Sequence, residues 1–147
     1  LKNIHITDLS AWCNISGLFN LTQYSSENKN IYLNGSLVNN LMIPDDVASI
    51  EMYAFYNCSG LTSVTISDNV IKIGSGTFYG CSELTNITIP DSVTSIGDYV
   101  FSNCGKLAYI EFKGTMQQWN AITENRNLGY NIGNYVVHCT DGDINKN

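Results

Sequence analysis

The chain has 147 residues, of which 44% are hydrophobic and only 14% are charged, and its formal net charge is −6. The hydrophobic fraction is too high for a disordered segment, and an acidic chain without a Lys/Arg cluster argues against nucleic acid or an anionic membrane as partner. No apolar run approaches the roughly 20 residues that a membrane span needs, so we expect no membrane insertion by this chain.

The first 42 residues combine a strand-like segment with a polar insertion. Residues 1–6 have the pattern Leu-x-x-Ile-x-Ile, which recurs later in the chain. A short helix carrying Trp12 is predicted next, and the polar, non-periodic residues 16–30 follow as a loop. The pair Asn34-Gly35 then predicts a type I′ hairpin. We therefore interpret residues 1–42 as a partial repeat with an inserted helix and hairpin module.

The middle of the chain consists of 23-residue repeats. Three full repeats cover residues 43–65, 66–88 and 89–111. Each repeat contains a turn, a Val-x-x-Ile strand, a tight helical turn that directs a Phe inward, and a Leu-x-x-Val/Ile-x-Ile strand. The aromatic and sulfur positions that recur at this period are expected to be buried, and they are Phe55, Phe78, Phe101, Cys58, Cys81 and Cys104.

Two features of the repeat carry further expectations. Glu51 stands where the next repeats have Gly74 and Gly97, so we expect this glycine to be helpful but not obligatory. The column of cysteines could supply metal ligands or disulfides, but one Cys per repeat does not converge as a zinc site requires. We favour small buried hydrophobic residues, and the odd total of five Cys also argues against a disulfide framework.

Residues 112–147 break the repeat and form the predicted C-terminal cap. A Thr-x-x-Gln capping box starts a helix with Trp119 on its apolar side, and a polar stretch over 123–134 leads to a strand and an Asp-Gly turn. Because the end of a solenoid exposes its core, we expect this unit to cover it. Trp12 and Trp119 could be platforms for sugars, but their spacing from apolar neighbours favours core positions.

The period and the strand pattern together predict a leucine-rich-repeat solenoid. The expected fold is α+β and β-rich, with 23-residue repeats, parallel strands on both faces, short helical turns, and Trp-containing helical units near each end. We treat residues 1–147 as a single solenoid domain. The chain begins at Leu1 rather than Met and shows no signal peptide, which favours a fragment of a longer protein.

The repeats resemble those of a known family. Residues 89–104 read Ile-Pro-Asp-Ser-Val-Thr-Ser-Ile-Gly-Asp-Tyr-Val-Phe-Ser-Asn-Cys and are similar to the BspA-type leucine-rich repeat of bacterial surface proteins. The segments around Trp12 and Trp119 resemble modules that precede and end such repeats. The resemblance implies an extracellular or cell-surface protein that binds host proteins or neighbouring cells. The family defines no catalytic residues, so none is assigned.

Polar residues near the C-terminus offer two weaker alternatives. His138, Cys139 and Asp141 could suggest a nucleophile with its base, but in a strand His138 and Cys139 point to opposite faces. The sequence Asp141-x-Asp143-x-Asn145 resembles the start of a calcium loop, but the Gly and Glu that complete such a loop are missing. We favour a hairpin turn, and we predict neither a metal site nor a cofactor.

The expected function is that of a binding module. In the Leu-x-x-Val/Ile-x-Ile strands the apolar positions face the core, so the residues between them project from the sheet in one set of columns. A protein or glycan partner would contact these side chains, and the candidate binding residues are His5, Met42, Thr65, Thr88, Tyr109 and Glu111. The alternative is a structural spacer without a ligand of its own. An enzyme is a remote alternative, because it needs converging titratable groups. We expect a monomer.

Overall fold

Strands dominate the architecture of the computed structural model, which describes residues 2–18, 20 and 27–146. Part of the predicted loop at 16–30, namely 19 and 21–26, and residues 1 and 147 lie outside the described residues. The strands in chain order are β1 (Asn3–Ile6), β2 (Asn30–Leu33), β3 (Ser36–Val38), β4 (Asn40–Met42), β5 (Ser49–Ile50), β6 (Ser63–Thr65), β7 (Lys72–Ile73), β8 (Asn86–Ile89), β9 (Ser95–Ile96), β10 (Tyr109–Phe112), β11 (Tyr135–Cys139) and β12 (Gly142–Lys146). Two helices with defined bounds are α1 (Leu9–Cys13) and α2 (Met116–Thr123).

The largest sheet, called the main sheet below, has the strand order β12-β11-β10-β8-β6-β4. Its neighbouring strands are parallel except for the β11–β12 pair, which is antiparallel. Asn40 faces Ser63 and Asn86 faces Tyr109, so each strand residue faces its equivalent in the next repeat. Alternate residues point inward along each strand, and these are the buried aliphatic side chains Leu41, Val64, Ile87, Ile110 and Val137.

A second sheet of three short parallel strands, β5-β7-β9, lies on the other side of each repeat. Its inward residues Ile50, Ile73 and Ile96 are fully buried. Ile is β-branched, and such side chains pack well on a pleated sheet that has one face buried. The expectation of a β-rich fold is therefore confirmed.

The core between the two sheets contains a column of stacked phenylalanines. The ring centroids of Phe55 and Phe78 are 5.8 Å apart, and those of Phe78 and Phe101 are 6.3 Å apart. Each cysteine of the period is fully buried and free, and the Cys104 thiol donates to the Phe78 carbonyl at 3.2 Å. Burial raises the pKa of the Cys104 thiol to about 12, so it stays protonated in the fold.

The segment before each core Phe is a turn in the structure, rather than the predicted helical turn. Tyr53, Gly76 and Tyr99 have φ angles of 60°, 61° and 59°, which lie in the left-handed region. A right-handed helix cannot continue through such a residue. Backbone bonds form within each turn, as from Tyr56 N to Tyr53 O at 3.2 Å. Others run between repeats, as from Tyr53 N to Ser75 O at 3.0 Å and from Gly76 N to Asp98 O at 2.9 Å.

The polar stretch after α2 extends this set of turns beyond the last repeat. Phe101 N donates to Leu128 O at 2.9 Å, and Asn103 N donates to Tyr130 O at 2.8 Å. Tyr130 also packs edge-on against Tyr79, and the two hydroxyl groups are hydrogen-bonded. The predicted loop is therefore fixed to the third repeat.

The N-terminal and C-terminal units share one topology. Asn3 faces Asn30 across β1 and β2, and Tyr109 faces Val136 across β10 and β11. The paired residues are therefore separated by the same number of residues in both units, and by more than one repeat. In each unit a hairpin then adds an antiparallel strand, which is β3 or β12. This shared arrangement is the physical basis of the likeness between the two ends of the sequence.

The strand β1 lies in a separate sheet of order β1-β2-β3. The prediction that His5 joins the same outward columns as the repeats is therefore wrong. The reason is that the inserted β2 is the strand that pairs with β1, and the His5 ring stacks on Tyr32 at 4.9 Å between centroids. The unit contacts the first repeat through α1, whose Cys13 carbonyl accepts from Glu51 N at 2.8 Å. None of the described helices is long and apolar enough to cross a membrane.

Candidate functional site

The outer face of the main sheet, called the sheet face below, carries two continuous rows of side chains. The rows exist because the strands pair in register and each strand contributes alternate residues to this side. The first row is Asn40, Ser63, Asn86, Tyr109, Val136 and Asn145. The second row is Met42, Thr65, Thr88, Glu111, His138 and Asp143.

The middle of the sheet face is short and polar, whereas larger side chains stand toward its ends. Ser63 Oγ donates to Asn40 Oδ1 at 2.8 Å, so some of these polar groups satisfy one another along the first row. Met42 is 70% exposed on β4, and Tyr109 is 39% exposed on β10. An exposed Met and an exposed Tyr on the same face of a sheet are the kind of side chains that interfaces favour.

The part of the sheet face on β10, β11 and β12 combines an aromatic ring with ionisable groups. We call Tyr109, Glu111, His138 and Asp143 the C-terminal patch. His138 Nδ1 lies 2.9 Å from Asp143 Oδ1. The Tyr109 ring centroid is 5.7 Å from that of His138, and Glu111 is the strand partner of His138. The patch therefore presents a ring and two carboxylates around one imidazole.

The environment of His138 favours its protonated form. The hydrogen bond to Asp143 raises the pKa of His138 above its usual 6.5, and the charges of Asp143 and Glu111 act in the same direction. A group with a raised folded pKa contributes stability at pH values below its unfolded pKa. That contribution is lost as the pH rises through the folded pKa.

We expect His138 to titrate above pH 6.5 in the folded protein, and Asp143→Asn to lower that pKa toward the usual value. The reason is that the amide keeps a hydrogen-bonding oxygen but removes the negative charge that favours the imidazolium. The measurement is an NMR titration of the His138 ring protons in the wild-type chain and in the variant. An unchanged His138 pKa in the Asp143→Asn variant would show that the ion pair does not form in solution.

Sequence reasoning missed four residues of the sheet face, which are Val136, His138, Asp143 and Asn145. We treated the segment after α2 as a cap outside the repeat register, so its strands were not assigned to the main sheet. The segment Val-Val-His-Cys at 136–139 carries the signal that could have found them. With Val136 opposite Tyr109, Val137 takes the buried position of Ile110 and His138 takes the outward position of Glu111.

The predicted binding residues are not all brought together. Met42, Thr65, Thr88 and Glu111 occupy four successive positions of the second row, and Tyr109 lies beside them in the first row. The sixth candidate, His5, is in the β1-β2-β3 sheet instead and does not belong to the sheet face.

The two tryptophans are packed to different degrees. Trp119 is fully buried, with its ring centroid 5.3 Å from that of Phe112, so it offers no platform for a sugar. Trp12 is half-buried, and its Nε1 donates to the Ala54 carbonyl at 2.9 Å. Both rings therefore contribute to packing between an end unit and its neighbouring repeat.

The described residues do not assemble a recognisable reaction centre on the sheet face. His138 points outward on β11 while Cys139, the next residue, takes the opposite side. Asp141 accepts from Met116 N at 2.8 Å, which places its carboxylate at the start of α2 rather than beside His138. Within the described ranges, no group of three or more His, Cys, Asp or Glu side chains is arranged to hold a metal ion.

Comparison with known protein families agrees with the repeat architecture. The family described as BspA type Leucine rich repeat region matches residues 25–135 in six copies. A crystal structure of a leucine rich cell surface protein from Faecalibacterium prausnitzii A2-165 is 31% identical, covers 58% of this chain and has a TM-score of 0.30. The match spans 35% of the length of that protein. No curated protein matches the chain.

Proposed function

Because the chain belongs to the BspA-type leucine-rich repeat family, we propose that it is a non-enzymatic binding module that recognises a protein partner through the sheet face. The family is one of bacterial surface proteins, which supports an extracellular or cell-surface location. The 23-residue repeat and the Trp-containing end units serve, in this proposal, to hold the sheet face flat and in register. Recognition would then depend on the side chains that the repeats present rather than on a cavity.

The observation that carries the proposal is the continuity of the two rows across six paired strands. A rigid sheet places Met42, Tyr109 and Glu111 in fixed relative positions without any loss of backbone entropy on binding. Tyr109 is suited to be the anchor, because a Tyr side chain buries a large area for little lost rotamer freedom. Glu111 and Asp143 give the surface around it an acidic character, which favours a partner with basic side chains.

A structural spacer is the second candidate function, and the middle strands favour it. Ser63, Thr65, Asn86 and Thr88 are short side chains without charge or large apolar area. Thr and Ser on a solvated sheet stabilise the strand pairing by themselves. If the spacer function is correct, substitutions at the larger residues of the sheet face will have no effect on any interaction.

We expect Tyr109→Ala to weaken partner binding by more than about 1 kcal/mol, the usual threshold for an important interface residue. The side chain is exposed and projects away from the core, so the free energy of unfolding should remain nearly unchanged. The measurement is surface plasmon resonance against a panel of purified extracellular host proteins, followed by a thermal melt of each variant.

Thr65→Ala and Thr88→Ala are the matched controls for this experiment, because they lie on the same face and should matter less. The decisive variant replaces Met42, Tyr109 and Glu111 together. A protein ligand whose affinity survives the triple substitution would contradict recognition through the sheet face. A panel in which no protein binds the wild-type chain would favour the spacer.

A further inference from the structure

Two neighbouring depressions have no residue of the sheet face in their lining. One, of about 280 Å³, is lined by Lys72, Ser75 and Ser95 on and beside the strands β7 and β9. The other, of about 230 Å³, lies between the end of α2 and the paired residues Tyr135 and Lys146. Arg126 lines both of them, so the two depressions share a wall. We call them together the basic trough.

The charge of the basic trough is opposite to that of the whole chain. Its charged lining residues are Lys72, Arg126 and Lys146, and the lining contains no carboxylate. These are three of the seven Lys and Arg residues in a chain with thirteen Asp and Glu and a net charge of −6. They are distant in sequence, which explains why the sequence shows no basic cluster.

Two lysines outside the basic trough each have an ionic partner, whereas the three cations within it do not among the described residues. Lys106 pairs with Glu83 at 2.7 Å, and Lys113 pairs with Asp68 at 3.0 Å. For the cations of the basic trough, no carboxylate is within ion-pair distance in the part of the chain that the structure describes. The carboxylate of Asp98 instead accepts from the Asn127 backbone N–H at 2.9 Å.

The position of Arg126 is fixed by the backbone on either side of it. Its N–H donates to the Thr123 carbonyl at 3.0 Å, and the preceding Asn125 has a left-handed φ of 56°. The following residues are bound to the third repeat, where Tyr99 N donates to Asn127 O at 2.6 Å. A guanidinium on a fixed backbone loses less entropy when it binds an anion than one on a free loop.

From this arrangement we propose that the basic trough binds an acidic oligosaccharide, a sugar chain that carries carboxylate or sulfate groups. Separate cations along an open trough fit a ligand with repeated negative charges, and guanidinium forms paired hydrogen bonds with carboxylate or sulfate. The hydroxyl and amide groups of Ser75, Ser95 and Asn127 suit sugar hydroxyls. An adjoining depression is lined by Tyr130, which is 49% exposed and adds apolar ring surface beside the trough.

The proposal is tested by titrating the full chain with oligogalacturonate, which carries carboxylates, and with chondroitin sulfate oligosaccharides, while neutral dextran serves as the uncharged control. We expect binding to at least one acidic oligosaccharide, weakening with added salt, and none to dextran. Arg126→Ala should reduce the affinity about tenfold or more, since a hydrogen bond to a charged group is lost. Arg126→Lys should retain part of it.

The matched controls are Lys106→Ala and Lys113→Ala, which remove the same charge outside the basic trough and should leave the affinity unchanged. Thermal melts of each variant report folding, and all the substituted side chains are exposed. The proposal is overturned if no acidic oligosaccharide binds, if the control variants weaken binding as much as Arg126→Ala does, or if polyglutamate binds as tightly. Tyr109→Ala should not change this affinity, which separates the basic trough from the sheet face.

Discussion

Replacing Trp119 with alanine is expected to lower the free energy of unfolding by about 3–5 kcal/mol, the range for a large aromatic residue removed from a core. Trp119 is the fully buried residue of α2 and packs against Phe112, the last inward residue of β10. The ring therefore fills the space between the cap and the third repeat. Equilibrium unfolding in urea measures the change directly.

The effect of Trp119→Ala should be largest near the cap. In a solenoid each repeat contacts only its neighbours, so loss of the cap packing exposes the adjacent strand first. Hydrogen exchange at residues 107–112 should accelerate more than exchange in the first repeat. Unchanged protection at 107–112 would show that the ring does not hold β10 in place.

Trp119→Phe is the matched variant, because it keeps an aromatic ring at the same site. The indole Nε1 is buried and has no hydrogen-bond partner among the described residues. A buried N–H without a partner costs about 1–3 kcal/mol, and phenylalanine removes that cost along with part of the packing. We therefore expect Trp119→Phe to destabilise the fold much less than Trp119→Ala. A loss as large as that of alanine would mean that the indole N–H is hydrogen-bonded in solution.

The sequence predicted best the positions at which the same residue type recurs in every repeat. The recurrence of Phe55, Phe78 and Phe101 at one period provided three observations of the same environment, and the structure stacks these rings in one core column. The family assignment is confirmed for the same reason, because the motif occurs several times in one chain. Whether a strand residue points into the core or away from it could be predicted from strand alternation alone.

The sequence was least informative where the chain leaves the period. His5 has the local pattern of a repeat strand, but the strand that pairs with β1 is the inserted β2, which does not follow the repeat period. His138 was judged against its neighbour Cys139, although the contacts that matter are with Glu111 and Asp143 on other strands. The basic trough depends on three cations brought together only by the tertiary fold.

The glycines that follow the second-sheet strands show how one exception can mislead. Glu51 replaces glycine in the first repeat, which led us to expect that glycine is helpful but not obligatory there. In the structure, a Cβ on Gly74 would lie 2.5 Å from the Met52 backbone nitrogen. Glu51 is tolerated because its neighbour in the stack is not a full repeat: the Glu51 N–H donates to the carbonyl of Cys13, at the end of α1. The expectation therefore holds for the first repeat only.

Gly97→Ala is accordingly expected to destabilise the fold by about 3 kcal/mol, the upper end of the range for overpacking. A Cβ at this position would lie 2.3 Å from the backbone nitrogen and 2.5 Å from the Cα of Ser75. Both are main-chain atoms, so no side-chain rotation can relieve the contact. Gly97 does not have a positive φ, so the cost comes from the close approach of two repeats rather than from backbone strain.

The measurement is urea unfolding of Gly97→Ala beside Gly105→Ala as a matched control. A Cβ on Gly105 would meet no atom closer than 3.9 Å, and its φ is not in the left-handed region. Alanine there should be neutral or stabilise the fold by about 0.5 kcal/mol, because it restricts only the unfolded chain. The Gly97→Ala protein should unfold at a clearly lower urea concentration. Equal midpoints for the two variants would mean that neighbouring repeats can move apart at little cost, and that the close backbone contact at Ser75 does not fix their spacing.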